Sequence, residues 1–177
     1  MKNRQFQWVS VFEALMAFAL VIGLAIWSGG AYPNRDPLWF YEKFDAQPYK
    51  ITVYSNGTAV DLYRGDAGYE RMLPVINSSV VKPAGFLESF YPSDSSLDSY
   101  RNSGVAVELA YQSPVKIHTK FFFPQFDHLF VPLDGTYNYL NEAVLFRALN
   151  GKWGGTALIL SSTSEIRAAA DAILESQ

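Results

Sequence analysis

The chain has no cysteine and only two histidines, His118 and His128. The absent thiols exclude a disulfide framework, Cys-type zinc sites and thiol catalysis. Basic side chains number 14 against 17 acidic, for a net charge of −3. A nucleic-acid binder needs a basic face to displace counterions from phosphate, so that class is excluded as a partner. Charged residues are only 18% of the chain, below the ~25% of an ordinary soluble protein. No G-x-S-x-G, P-loop or dinucleotide fingerprint is present.

Hydrophobic residues, by contrast, make up 49% and aromatic ones 16%. Disorder is thereby excluded, and 177 residues are enough for one domain. The strongest signal is the 19-residue run Val9 to Trp27, whose single charge is Glu13. As a helix it covers about 28 Å, close to the ~30 Å hydrocarbon core. Lys2 and Arg4 precede it with no acid between, which orients the N-terminus to the cytoplasm and the remainder outside. Residues 1–8 then read as a cytoplasmic tail and 9–27 as a signal anchor in the plasma (inner) membrane. Residues 28–48 read as a juxtamembrane segment and 49–177 as an extracytoplasmic domain. A cleaved signal peptide is the rival reading, with Gly29 and Ala31 at the small-residue positions, but the apolar run exceeds the usual 7–15 residues.

Within the span, Glu13 either snorkels to the headgroups or meets another membrane helix. Ala19 and Gly23 form a small-xxx-small pair that allows close helix approach. Glu13, Ala19 and Gly23 are therefore the candidate contacts with a membrane partner. Ser28-Gly29-Gly30 reads as a flexible joint, and Tyr32–Asp45, carrying Trp39, Phe40, Tyr41 and Phe44, as a short helix that either lies at the membrane surface or packs on the domain.

Beyond it, Lys50–Tyr54 and Thr58–Arg64 read as a hairpin about Asn56-Gly57. Asp66–Val80 has a helical stripe of Tyr69, Met72, Leu73, Ile76 and Val80, which Pro74 is expected to kink or split. Pro83–Gly104 is rich in Ser and Asp and reads as a long loop, a candidate binding site through Phe90, Tyr91, Asp94, Asp98 and Tyr100. Val105–Gln112, Val115–Phe123 and Phe126–Leu133 read as strands. Ala143–Leu149 and Thr156–Leu160 read as a hairpin, with a helix over 138–149 as the competing assignment. Ser162-Thr163-Ser164-Glu165 has the capping-box pattern, and Ile166, Ala169, Ala170, Ile173 and Leu174 form the stripe of a last helix. The fold class is α+β: one transmembrane helix, then a mainly antiparallel sheet with packed helices.

The chemistry-bearing residues are few. Lys116, His118 and Lys120 alternate on one strand face, either a solvated face or a stripe for an anion or partner. Asp127 beside His128 is expected to point to the opposite side of its strand. Ser79-Val80-Val81-Lys82 and Ser113-Pro114-Val115-Lys116 match S-x-x-K, but the companion S-D-N and K-T-G motifs are missing. The residues assign no catalytic group, cofactor or metal. The expected function is an accessory, assembly or regulatory subunit that contacts the bilayer and another membrane or envelope protein. The alternatives are an envelope hydrolase with paired carboxylates acting on a glycan, or a ligand-sensing domain.

Overall fold

The computed structural model describes residues 3–135, 137–139 and 141–176. Helix α1 spans Asn3–Asn34 and projects apart from an α+β domain. The domain follows as β1 (Lys50–Ser55), β2 (Thr58–Leu62), α2 (Ala67–Val81), β3 (Pro83–Phe90) and α3 (Asp94–Ser103). Next come β4 (Val105–Val115), β5 (Phe126–Pro132), β6 (Asn138–Tyr139), β7 (Glu142–Leu149), β8 (Lys152–Trp153), β9 (Gly155–Leu160) and α4 (Ser164–Leu174).

The described strands form one antiparallel sheet in the order β2-β1-β4-β5-β7-β9-β3, with β6 and β8 beside β7. The expected hairpin is β1–β2, turned by Asn56 at φ 48° and Gly57 at φ 82°. Both turn residues tolerate positive φ, which is why this dipeptide selects a tight hairpin. Helices α2 and α4 cover one face: Tyr69, Met72 and Ile76 with Ile166, Ala170 and Ile173 meet Val53, Val107, Leu129 and Leu158. On the other face α3 buries Leu97 and Tyr100 against Phe130 and Phe146.

Several local expectations are corrected. The segment 83–104 is a strand and a helix, not a long loop. Strand β3 lies at the sheet edge with register shifts and Ser89 at φ 53°, so its alternation is broken. In α3 only Leu97 and Tyr100 face inward, which is too few to give a stripe. Its start is set by Ser93, whose Oγ accepts from the Ser96 N–H at 3.1 Å. Pro74 does not split α2. The carbonyl it leaves unpaired belongs to exposed Glu70, where water can take the bond. Leu73 is only half-buried, while Met72 takes the core position.

Residues 116–125 are irregular where a strand Val115–Phe123 was expected, because β4 bulges after Ala110 and ends at Val115. Asn138–Tyr139 and Glu142–Leu149 are the strands β6 and β7 rather than helix, and Asn150-Gly151 turns β7 into β8. The capping box at 162–165 does not form. Thr163 is the N-cap residue, but its N–H and Oγ1 both donate to the Asn141 carbonyl, at 2.7 and 3.1 Å. A tertiary bond displaces the local one.

Candidate interaction site at the junction of α1 and the domain

From Ser10 to Pro33, α1 is long and apolar enough to cross a membrane. Its 24 residues extend about 36 Å. Phe12, Leu15, Phe18, Val21, Leu24 and Ile26 are all exposed, so ahead of its last turns the helix is apolar on every side and unburied. A helix of this kind needs an apolar environment from outside the chain. Glu13 and Ala19 are exposed on it, and a Cβ built on Gly23 would meet nothing within 4 Å. Glu13 and Ala19, six residues apart, lie about 120° from alignment on an ideal helix.

The expected flexible joint at 28–30 is instead part of α1. Ser28 Oγ donates to the Ala25 carbonyl at 3.0 Å, and the indole of Trp39 packs directly on Gly30. Trp27 Nε1 donates to the Pro37 carbonyl at 3.0 Å, and Trp39 Nε1 donates to the Trp27 carbonyl at 3.3 Å. No separate interfacial helix forms over Tyr32–Asp45. The helix ends in a Schellman arrangement: Arg35 at φ 48° donates to Tyr32 O, and the Asp36 N–H donates to Ala31 O. The chain then folds back along the last turns of α1. Gly30→Ala would drive a methyl into the Trp39 ring, so that ring must move. A change in tryptophan emission, absent when the same substitution is made in a Trp39→Phe background, is the expected result. An unchanged spectrum in both backgrounds would reject this packing.

The fold-back brings Asp36 to Lys116 and His118. Asp36 is 3% exposed. Its Oδ1 accepts from the Leu38 N–H at 3.0 Å and lies 3.7 Å from Lys116 Nζ, while Oδ2 is 2.8 Å from His118 Nδ1. Lys116 Nζ also donates to the Arg35 carbonyl at 3.0 Å, reaching the end of α1. Lys43 and His118 exchange two backbone hydrogen bonds of 3.1 and 3.2 Å. Next to them Phe44 enters the core against Tyr111 and Phe126. Burial raises the Asp36 carboxyl, but donation from Leu38 and the Lys116 and His118 contacts outweigh it, so its pKa is below the usual 3.8.

Of the stripe Lys116, His118, Lys120, two residues thus converge on one carboxylate. Lys120 stands apart with Nζ 5.1 Å from the Phe121 ring centroid. Asp36, the third member, carries no sequence signal: it lies 82 residues from His118.

The other candidate residues do not form one site. The Phe90 ring stacks on Phe146 at 5.4 Å. Tyr91 is exposed and rests over Gly154. Asp94 is in the first turn of α3, Asp98 pairs with Arg101 at 3.2 Å, and Tyr100 is buried. Asp127 and His128 do hydrogen-bond, at 2.9 Å, against the strand-alternation expectation. Asp127 lies opposite the β4 bulge, between the pairs Val115↔Phe126 and Ala110↔His128, where the pleat is interrupted.

No family model matches the chain, and no curated protein matches it. The fold is similar to that in the crystal structure of YycH from Bacillus subtilis, with a TM-score of 0.53 and 13% sequence identity. The match covers 77% of this chain and 38% of that one, so this chain spans well under half of the YycH structure's length. At this identity the likeness is one of fold.

Proposed function

We propose that the protein is a membrane-anchored accessory or regulatory subunit that contacts another membrane protein through α1 and reports that contact to its outer domain. The observation that carries this reading is the junction. An exposed apolar helix continues into a Schellman turn, and the Asp36, Lys116 and His118 contacts join that turn to the domain. A simple tether would need only a loose linker, so this construction supports a coupled role. Glu13, Ala19 and Gly23 are the proposed partner contacts, with the bilayer around them.

In this reading residues 9–27 cross the membrane, 1–8 are cytoplasmic, and the domain lies outside, by the bias of Arg4 and of Lys2, which is outside the described residues. Helix α1 continues to Asn34, so the span reaches the folded domain without a flexible break.

The test has two arms. Gly23→Leu, or replacement of Val9–Trp27 by poly-Leu, should weaken co-purification with a membrane partner in mild detergent while the domain stays folded. If the poly-Leu protein retains its full set of co-purifying chains, α1 is only a tether. A reporter active only in the cytoplasm, fused after Gln177 (also outside the described residues), should be silent. Full reporter activity would reverse the orientation.

A further inference from the structure

The turn that folds back along α1 leaves a group of apolar side chains uncovered. Leu38 and Tyr41 are exposed, and Phe40 is 61% exposed. Trp27 and Tyr32 of α1 are exposed beside them. Apolar residues scattered singly over a surface are ordinary, whereas a contiguous group marks a place of contact. The run Pro37-Leu38-Trp39-Phe40-Tyr41 also carries no charge. Asp36 ahead of it is buried against Lys116 and His118. Arg35 and Glu42, on either side, are exposed, where headgroup water can reach them.

The fold-back sets the level of this run. Trp27 donates to the Pro37 carbonyl, Trp39 donates to the Trp27 carbonyl, and the Trp39 ring covers Gly30. The run therefore stands abreast of the helical turn Trp27–Gly30 rather than beyond the end of α1. Counted from Ser10, about 20 residues fill the ~30 Å hydrocarbon core, which brings its outer boundary to that same turn. A side chain on the run is then at the depth where acyl chains give way to headgroups.

The backbone of the turn is already satisfied from within. Pro37 has no N–H to satisfy. The N–H groups of Leu38, Trp39 and Tyr41 donate to Asp36 Oδ1, the Asp36 carbonyl and the Leu38 carbonyl, at 3.0, 3.3 and 2.8 Å. The Pro37 carbonyl accepts from Trp27 at 3.0 Å. Backbone groups paired inside the chain lower the cost of leaving bulk water for a lipid interface. Trp and Tyr rings, apolar in the body and polar at one edge, suit the headgroup level, and Trp27 and Tyr41 supply one of each.

We propose that Leu38, Phe40 and Tyr41 insert into the headgroup–acyl boundary of the bilayer that α1 crosses, seating the domain on the membrane surface. The proposal rests on the reading of α1 as a membrane span. Helix and turn then hold one bilayer at two adjoining points, so a tilt of α1 carries the domain with it.

The cysteine-free chain permits single nitroxide labels without a background. Leu38→Cys, Phe40→Cys, Val21→Cys and Thr58→Cys proteins, each full length and labelled, are compared in phosphatidylcholine vesicles. Power-saturation EPR measures collision with oxygen, which concentrates in lipid, and with a nickel chelate confined to water. Labels at 38 and 40 should sit about 5–10 Å into the headgroup–acyl boundary. The label at 21 should lie in the hydrocarbon core. The label at exposed Thr58, at the far end of β1 from the junction, should be fully open to nickel. Each of the two turn variants leaves the other apolar side chain in place, and a melting curve matching the parent chain checks the fold. If the label at 21 is deep but either turn label is as open to nickel as that at 58, the proposal is overturned and the span stands. A label at 21 open to nickel rejects the span, and the proposal with it. Turn labels shielded from both reagents would mean that protein, such as a second copy of this chain, covers the turn instead of lipid, which also overturns the proposal.

Discussion

Phe126→Ala should destabilise the α+β domain by about 3–5 kcal/mol, the range for deleting a large aromatic ring from a packed core. Phe126 is 0% exposed and touches three other rings, with centroids 6.0 Å from Phe44, 5.6 Å from Tyr111 and 5.5 Å from Phe123. It stands at the first position of β5, opposite Val115, just where the ladder resumes after the bulge. Its loss removes both buried area and the wall against which Phe44 rests, so the segment between α1 and β1 should loosen along with the sheet. The effect should exceed that of Leu73→Ala, because Leu73 is only half-buried. Denaturant unfolding of the full chain in detergent measures it. A shift below about 1.5 kcal/mol would mean that the ring cluster does not hold this corner.

The second large effect is expected at Asp36. Asp36→Ala leaves the Lys116 ammonium and His118 without their carboxylate and the Leu38 N–H without an acceptor. Truncating such a partner costs about 1–3 kcal/mol, and here it should appear as local opening rather than global unfolding. Hydrogen exchange at the paired Lys43 and His118 amides reads it out, since those bonds close the junction.

The same amides give a pH test. The folded pKa of Asp36 is lowered from 3.8, so its contribution is fully present above that unfolded value. It is lost as pH falls below 3.8 through the lower folded value. Protection at Lys43 and His118 should therefore decline on acidification below about pH 4, and the Asp36→Ala protein should lack that step. Equal pH dependence in both proteins would remove Asp36 from the junction.

How much was legible in the chain differs by element, and the difference has one physical cause. The long apolar helix α1, the Asn56-Gly57 hairpin and the stripes of α2 and α4 are determined by the sequence alone. Each is written in residues a few positions apart: an unbroken apolar run, a dipeptide tolerant of positive φ, an apolar repeat of 3.6. The α+β class follows from them. The tertiary structure decided whatever depends on residues distant in the chain. Helix α3 shows only two inward residues, because it covers a small part of the second face, and no local pattern separates it from a loop. The start of α4 could not be read locally, since Thr163 bonds to Asn141 in place of its own helix. The junction needs Asp36 and His118, which meet only when the chain folds back onto the domain. Periodicity encodes which face a residue shares with its near neighbours. It carries no information about which carboxylate, 82 residues away, will meet it there.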